Sequence, residues 1–449
     1  MQESLPVKII EGLSDRQVIQ RRSDTARPLI RGLRSLQDAG MHVYFRLTDE
    51  RSERAITEWI PVCEHRDGTW EIIPEIPVGG PYRAETCLRK DGTRFEDAFA
   101  GEMRRHFYVG DNYLIAGQSN AAGYAMDPVS DLALPGVCQL RLNGRWDMAS
   151  HPINEGTGCI YANLDVPRTG HSPWLRFAGE MVRATGIPTG LIPSALGGSP
   201  MDAWVPGGVL YGNAMRMVLD AGGICGVLWY QGCSDAMDLR YSDYGDRFLA
   251  MVRGMRSDLD MPELPFYTCQ LNGYAGEEDP AQDISWSAVR TAQEAAAQTD
   301  GVYMLATFGM ELYDDIHNSA SSNLIIGTLM SRMVRSTHFA ESDPYTGLRA
   351  VGVRRIDGGL EIELGCVRGS LTAGENTARA FTAYGADGQI AIDAVFIRDG
   401  RIVLAGRGLD RAETVTFGQV RNSIKAGITD TGDGRVLTPF VYHISESIL

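Results

Sequence analysis

Ser119 stands between two amides in the stretch Ile115-Ala-Gly-Gln-Ser-Asn-Ala-Ala-Gly123, where an apolar run stops at a glycine. Two kinds of chemistry suit that pattern. A serine just past a strand can cap the helix that follows, its Oγ accepting an N–H of the first turn. The same serine can be a nucleophile whose own backbone N–H stabilises the charge on an attacked carbonyl. The free N–H groups and the dipole at a helix head favour that charge. Taken alone, the motif weighs evenly between the two readings.

A nucleophilic serine needs a base within reach, and the base needs an acid to fix its tautomer. Asp314-Asp-Ile-His317 offers both, with His317 as the base and Asp314 or Asp315 as the acid. Asp, Asp and His also suit a metal ion, but no second cluster of His or Cys completes a ligand set, and no metal or cofactor is expected. Two further apolar runs end in polar turns. One leads to Gly197-Gly198, where the missing side chains let a backbone N–H approach a ligand; a tight turn is the default reading. The other ends at Gln231, an amide donor that would equally suit loop backbone. His151 and His171 fall in the long stretch 124–172 and are candidates to line a site. His65, His106, His338 and His443 read as structural or exposed.

Such residues need a frame. Apolar runs of strand length recur at 113–117, 189–195, 226–232, 266–271 and 302–308. Between them lie stripes at helical spacing, such as Trp174, Phe177, Met181 and Val182, or Tyr244, Phe248, Met251, Val252 and Met255. Alternating strand and helix predicts a parallel sheet covered on both faces, with sites at the carboxyl ends of its strands. The flanks differ. Residues 1–109 and 345–449 alternate apolar and polar between Asp-Gly and Gly-Pro turns, which predicts two β domains around an α/β/α domain at 110–344. Within the first flank, Asp24–Leu36 also has a helical spacing. Residues 124–172 are too long for a plain connection and predict a site-forming insertion.

Composition limits the partners. Asp and Glu outnumber Lys and Arg by 57 to 42, a formal charge of −15, which argues against nucleic acid or an anionic membrane surface. A small neutral ligand fits better, and a homo-oligomer stays open. No apolar run has the length of a membrane span. The first residues lack the basic-then-apolar pattern of a secretory leader. The eight cysteines contain no Cys-x-x-Cys pair and read as buried thiols. The expected compartment is the cytoplasm, with secretion or a periplasmic location the alternative if a leader has been removed.

In order, the blocks "GQSNAAG", "GLIPSALGGSPMDAW", "GVLWYQGCSDA" and "DDIHN" resemble the SGNH hydrolases, and more closely their sialate O-acetylesterase-like branch of carbohydrate esterases. The resemblance extends to "LSDRQVIQRR" and "DGTWEIIPEIPVGGPYRAE" in the N-terminal region and to the C-terminal strands. It implies a flavodoxin-like three-layer α/β/α core with accessory β domains. It further implies a serine esterase that removes acetyl groups from a sialic acid or from plant-glycan oligosaccharides such as xylan or mannan. Carried over, the pattern makes Ser119 the nucleophile and His317 the base. The oxyanion donors would be the Ser119 N–H, a Gly197 or Gly198 N–H, and the Gln231 side chain. Gln118, Asn120, Trp204, Tyr230 and His171 are the expected substrate contacts, with Trp146 and Trp174 as further rings for stacking; core packing is the other reading of each of the four Trp and Tyr rings and, taken singly, outweighs stacking. One departure matters. Where relatives carry Glu after "QG", and some use it as the acid, this chain has Cys233, so a carboxylate must come from elsewhere. Asp314 matches the superfamily's Asp-x-x-His spacing, with Asp315 as the fallback. The rival expectations are an esterase or lipase for other small acyl esters, and a carbohydrate-binding homologue that has lost catalysis.

Overall fold

A computed structural model describes residues 5–35, 40–165, 169–339, 341 and 343–444. Its centre is a large mixed sheet. Strands β1 (Met41–Asp49), β2 (Gly79–Lys90) and the first part of β3 (Phe99–Gly117) pair antiparallel. The second part of β3 lies between β6 (Thr189–Pro193) and β7 (Gly226–Tyr230), parallel to both. β4 (Val137–Leu140) extends the parallel set beyond β6, with the short antiparallel β5 (Trp146–Met148) at its edge. β8 (Phe266–Cys269) and β9 (Val302–Leu305) extend it beyond β7. The boundary expected at 109–110 thus falls inside one 19-residue strand.

Strands of this parallel set are apolar on both faces because both faces are covered. Leu114, Ala116, Ile192, Val227 and Trp229 join a core with side chains of α3 (Val209–Ala221), α5 (Tyr244–Asp258) and α6 (Pro280–Ala296). Their neighbours Tyr113, Ile115, Leu191, Leu228 and Tyr230 join a second core with α2 (Trp174–Thr185) and α7 (Ala320–His338). Period-two alternation along each strand therefore feeds two helical layers.

The helix expected at 24–36 does not form over the described residues 24–35; residue 36 lies outside them. Ile30–Arg34 is a strand between Val7–Glu11 and Thr69–Ile72. Its burial alternates, and a side chain at Gly32 would collide with the Trp70 ring; sheet packing overrides the local spacing. At the other end, strands 349–356, 359–365, 394–398 and 401–405 form one sheet, and 381–385, 388–390, 414–417 and 440–443 another. They share a core of Leu360, Ile362, Leu404, Phe381, Val415 and Phe417. Arg290 of α6, 1% exposed, ties this region to the centre by donating to the Gly418 and Val420 carbonyls. All eight cysteines are free thiols. Among the described residues, no helix is long and apolar enough to cross a membrane.

Candidate active site

Ser119 begins α1 (Ser119–Ala122), a single turn at the carboxyl end of β3. The turn is set by Gly117, whose φ of +124° and contact with the Tyr230 carbonyl leave no space for a side chain. The Ala121 and Ala122 N–H groups bond back to the Gln118 carbonyl at 2.8 and 2.9 Å. The Ser119 and Asn120 N–H groups have no acceptor among the described residues, and the Ser119 hydroxyl caps no helix N–H. A helix of four residues carries little macrodipole, so the local N–H groups rather than a helix field supply the positive potential here.

His317 reaches the same place from a tight loop before α7. The loop closes on itself: the Tyr313 N–H donates to the His317 carbonyl at 2.8 Å and the Ser319 N–H to the Glu311 carbonyl at 3.0 Å. Ser319 then caps α7, its Oγ accepting the Ser322 N–H. Asp314 folds back over this loop. One of its oxygens accepts the Ile316 and His317 N–H groups at 2.9 and 2.7 Å, and the other lies 2.7 Å from His317 Nδ1. Burial pulls the Asp314 carboxyl upward, but the imidazole and the two N–H groups outweigh it and hold it below the usual carboxylate value. Asp315 contributes a backbone carbonyl to the Ala275 N–H and makes no contact with the imidazole. The Tyr124 ring packs against His317 with centroids 4.9 Å apart.

Asn120 joins the two halves. Its Oδ1 accepts the Asn318 N–H at 2.9 Å and its Nδ2 donates to the Ile316 carbonyl at 3.3 Å. The residues on either side of His317 are therefore held to the residue next to Ser119. Asn318 continues inward, donating to the Tyr230 hydroxyl at 2.9 Å and accepting from Asn272 at 2.7 Å.

The Gly197-Gly198 turn lies across from α1. The Gly197 N–H is taken by Asp165 at 2.7 Å, and that carboxylate also accepts the Tyr124 hydroxyl at 3.0 Å and Asn154 Nδ2 at 2.8 Å. Burial raises the Asp165 carboxyl, with these three donors opposing it. The Gly198 N–H has no acceptor among the described residues, and its φ of +68° suits glycine. Gln231 is fully buried, and its Nε2 donates to Asp235 at 2.6 Å and to the Ser199 carbonyl at 3.2 Å. Asp235, itself fully buried, also accepts the Met201 N–H at 2.9 Å and pairs with Arg247 at 3.2 Å.

The side chains expected to touch substrate are placed otherwise. Gln118 Oε1 accepts the Gly232 and Ser234 N–H groups, capping α4 (Cys233–Met237), and Asn120 is spent on the His317 loop. Trp204 is fully buried, bonded to Ser199 Oγ and edge-on to Trp229 at 5.3 Å. Tyr230 is fully buried, and His171 packs against His151 rather than His317. Trp174 is fully buried with its Nε1 on the Ala121 carbonyl, and Trp146 is buried too. These rings fill core. Cys233 is buried, which pushes its thiol up to about 12; it does no acid's work. Sequence reasoning missed Tyr124, Asp165 and the hub role of Asn318, since each acts through a partner far along the chain, and it passed over Asp235, four residues from the Gln231 it holds. It also passed over Tyr313, which is 44% exposed on the His317 loop. A wide surface cleft lined by Asp111, Cys225, Leu264, Gly301 and His338 opens at the other, amino ends of the strands.

Residues 109–336 match the family of carbohydrate esterases described as sialic acid-specific acetylesterase, just over half of the chain. The chain belongs to that family. As a carbohydrate acetylesterase it is a carboxylic ester hydrolase. The acetylesterase is 28% identical over 195 residues to a probable carbohydrate esterase of Arabidopsis thaliana, covering 38% of this chain and 72% of that one. Its fold resembles that of a carbohydrate acetylesterase from Xanthomonas citri, with a TM-score of 0.66 at 19% identity over 97% of this chain and 99% of the other. That likeness in fold includes the β regions on both sides of the matched segment.

Proposed function

We propose that this acetylesterase removes O-acetyl groups from sugar hydroxyls through an acyl-Ser119 intermediate, in an SGNH-type three-layer core with accessory β regions. One observation carries the reading: Asp314 holds His317 Nδ1 at 2.7 Å while Asn120 pins the residues flanking His317 to the Ser119 turn. With Nδ1–H held by a carboxylate, Nε2 is left as the basic nitrogen. It takes the Ser119 proton as Oγ attacks the acetyl carbonyl. The tetrahedral oxyanion is received by the Ser119 and Gly198 N–H groups, which have no acceptor among the described residues. Gly197 is a poorer donor because Asp165 already holds its N–H, and Gln231 joins only by releasing the Ser199 carbonyl. The C–O bond to the sugar breaks, His317 returns the proton to the departing sugar hydroxyl, and water cleaves the acetyl-serine by the same steps. Each oxyanion donor is worth about 3 kcal/mol of transition-state stabilisation in such sites.

The substrate class we favour is an acetylated sialic acid or plant-glycan oligosaccharide, with Tyr313, exposed on the loop that carries His317, as the ring to meet it. The test compares Ser119→Ala with wild type on an acetylated chromogenic ester and on acetylated oligosaccharides. Loss of acetate release on both is expected. Equal release by the two proteins would sink the esterase mechanism. A panel of positionally defined acetyl-sugars then ranks the substrates, and preference for longer acyl esters over all of them would favour the small-ester reading.

A further inference from the structure

Behind the Ser119 turn, the described residues of 124–172 fold back on the core. The Gly170 N–H donates to the Gly123 carbonyl at 2.7 Å and the His171 N–H to the Ala125 carbonyl at 2.8 Å. Three side chains from separate parts of this stretch converge there. Asp131 Oδ2 lies 3.0 Å from His151 Nε2 and 3.3 Å from His171 Nε2. The side chains are 5%, 17% and 8% exposed. The two imidazoles face each other with centroids 4.1 Å apart. Nδ1 of both imidazoles is buried without a hydrogen-bond partner in the structure, and His171 Nε2 has only the Asp131 carboxylate at 3.3 Å, outside hydrogen-bond geometry. Leaving a buried polar atom unsatisfied costs about 1–3 kcal/mol, so this cluster is poorly served by protein atoms alone.

A cation between the two Nε2 atoms and the carboxylate would engage one of those three atoms, His171 Nε2. Imidazole nitrogen and carboxylate oxygen are the ligands that zinc and similar ions take, and tetrahedral bonds of about 2.1 Å set neighbouring ligand atoms about 3.4 Å apart. The observed 3.0 and 3.3 Å are already close to that spacing, and all three ligand atoms lie within 4.8 Å of one another. We propose that Asp131, His151 and His171 form a binding site for a divalent transition metal of the zinc class, with His171 Nε2, His151 Nε2 and an Asp131 oxygen as ligands. This departs from the expectation of no metal drawn from the Asp314–His317 motif alone. The ion would touch no reacting atom. It would fasten the insertion that carries Tyr124, whose ring packs on His317, and Asp165, which holds the Gly197 N–H.

The other cluster of metal-binding types among the described residues, Cys63, His65 and Glu71, is on the surface, so the test is run in a Cys63→Ser/His65→Ala background. The full chain is stripped with a chelator and titrated with Zn2+ alone, following heat of binding, bound metal and Tm. One equivalent per chain and a rise in Tm are expected. In the same background, Asp131→Asn and His171→Ala should bind about a hundredfold more weakly or worse, since even outer-shell partners are worth about 10–100-fold. No saturable binding in that background, or binding indifferent to both substitutions, overturns the site. If neither variant folds, Co2+ added to the background protein decides: visible d–d bands without thiolate charge transfer support the ligand set, and their absence overturns it.

Discussion

Replacing Asp314 by Asn changes one atom of the site and its whole proton logic. The carboxylate now receives three donors, at 2.7, 2.7 and 2.9 Å: His317 Nδ1, the His317 N–H and the Ile316 N–H. An Asn side chain keeps one carbonyl oxygen, enough for the two backbone bonds, so the loop should keep its shape. The amide nitrogen then faces His317 Nδ1. A donor there turns Nδ1 into an acceptor and moves the ring proton to Nε2, the nitrogen that must accept from Ser119. Where a triad acid has been neutralised in this way in a serine protease, kcat falls about 10⁴-fold, about 5.4 kcal/mol of activation free energy. A loss of 10³–10⁴ in kcat on an acetylated chromogenic ester is therefore expected for Asp314→Asn, on the order of 4–5 kcal/mol, with KM little changed. Asp315→Asn should stay within about twofold, as befits an exposed surface change. Steady-state kinetics on both purified variants, with far-UV circular dichroism as the folding control, check this. A folded Asp314→Asn enzyme that keeps more than about a tenth of wild-type kcat refutes the orientation argument, and the reverse ranking makes Asp315 the acid.

Three further outcomes follow from the same geometry. The stabilising effect of Asp314 should depend on pH with a definite sign: its folded value is depressed, so the contribution is present above the ordinary 3.8 and lost as the pH falls below it. The Tm gap between wild type and Asp314→Asn should accordingly shrink on acidification through that range, and a gap that widens contradicts it. Asn120→Ala frees the His317 loop from the Ser119 turn and should lower kcat about 10²-fold through misplacement of the imidazole, while losing about 1–3 kcal/mol of stability in urea unfolding; unchanged kcat would assign Asn120 a purely structural part. Tyr313→Ala should raise KM for acetylated oligosaccharides severalfold yet leave turnover of a small chromogenic acetate alone, which comparative kinetics on the two substrates will read.

The sequence made some of this visible and hid the rest for physical reasons. Asp314 and His317 are three residues apart, so one turn of loop sets their contact and spacing reveals it. The parallel strands were legible because a strand buried on both faces must be apolar throughout. That same property left Trp204 and Tyr230 open to two readings, stacking on a sugar or packing in the core, because a ring in a buried strand or turn looks the same in one dimension; both are fully buried. Asn120 reads as a polar neighbour of the serine, yet its partners Ile316 and Asn318 lie 196 and 198 positions away. Asp165 sits 32 residues from the Gly197 it holds, and no local pattern marks it. His171 was singled out as a polar group near the site, but its convergence with Asp131 and His151 needed the folded insertion. The length of β3 was masked by the charged run Glu102–His106 in its middle, which looks like a place to stop.

That strand has a consequence for what counts as a separable part. The segment matched by family resemblance begins at residue 109, ten residues into a strand that began at Phe99. A gene fragment cut there would sever the main chain of β3 from the hairpin it completes. Gly79, Ile19 and Gln20 would lose the partners that Val109 and Gly110 give them, leaving unpaired strand backbone of the kind that recruits other chains into aggregates. The stretch that likeness marks out is therefore not the stretch that can be cut out. The smallest autonomous catalyst should include the N-terminal sheet, so that the turn carrying Ser119 is anchored from outside the helical layers that surround it.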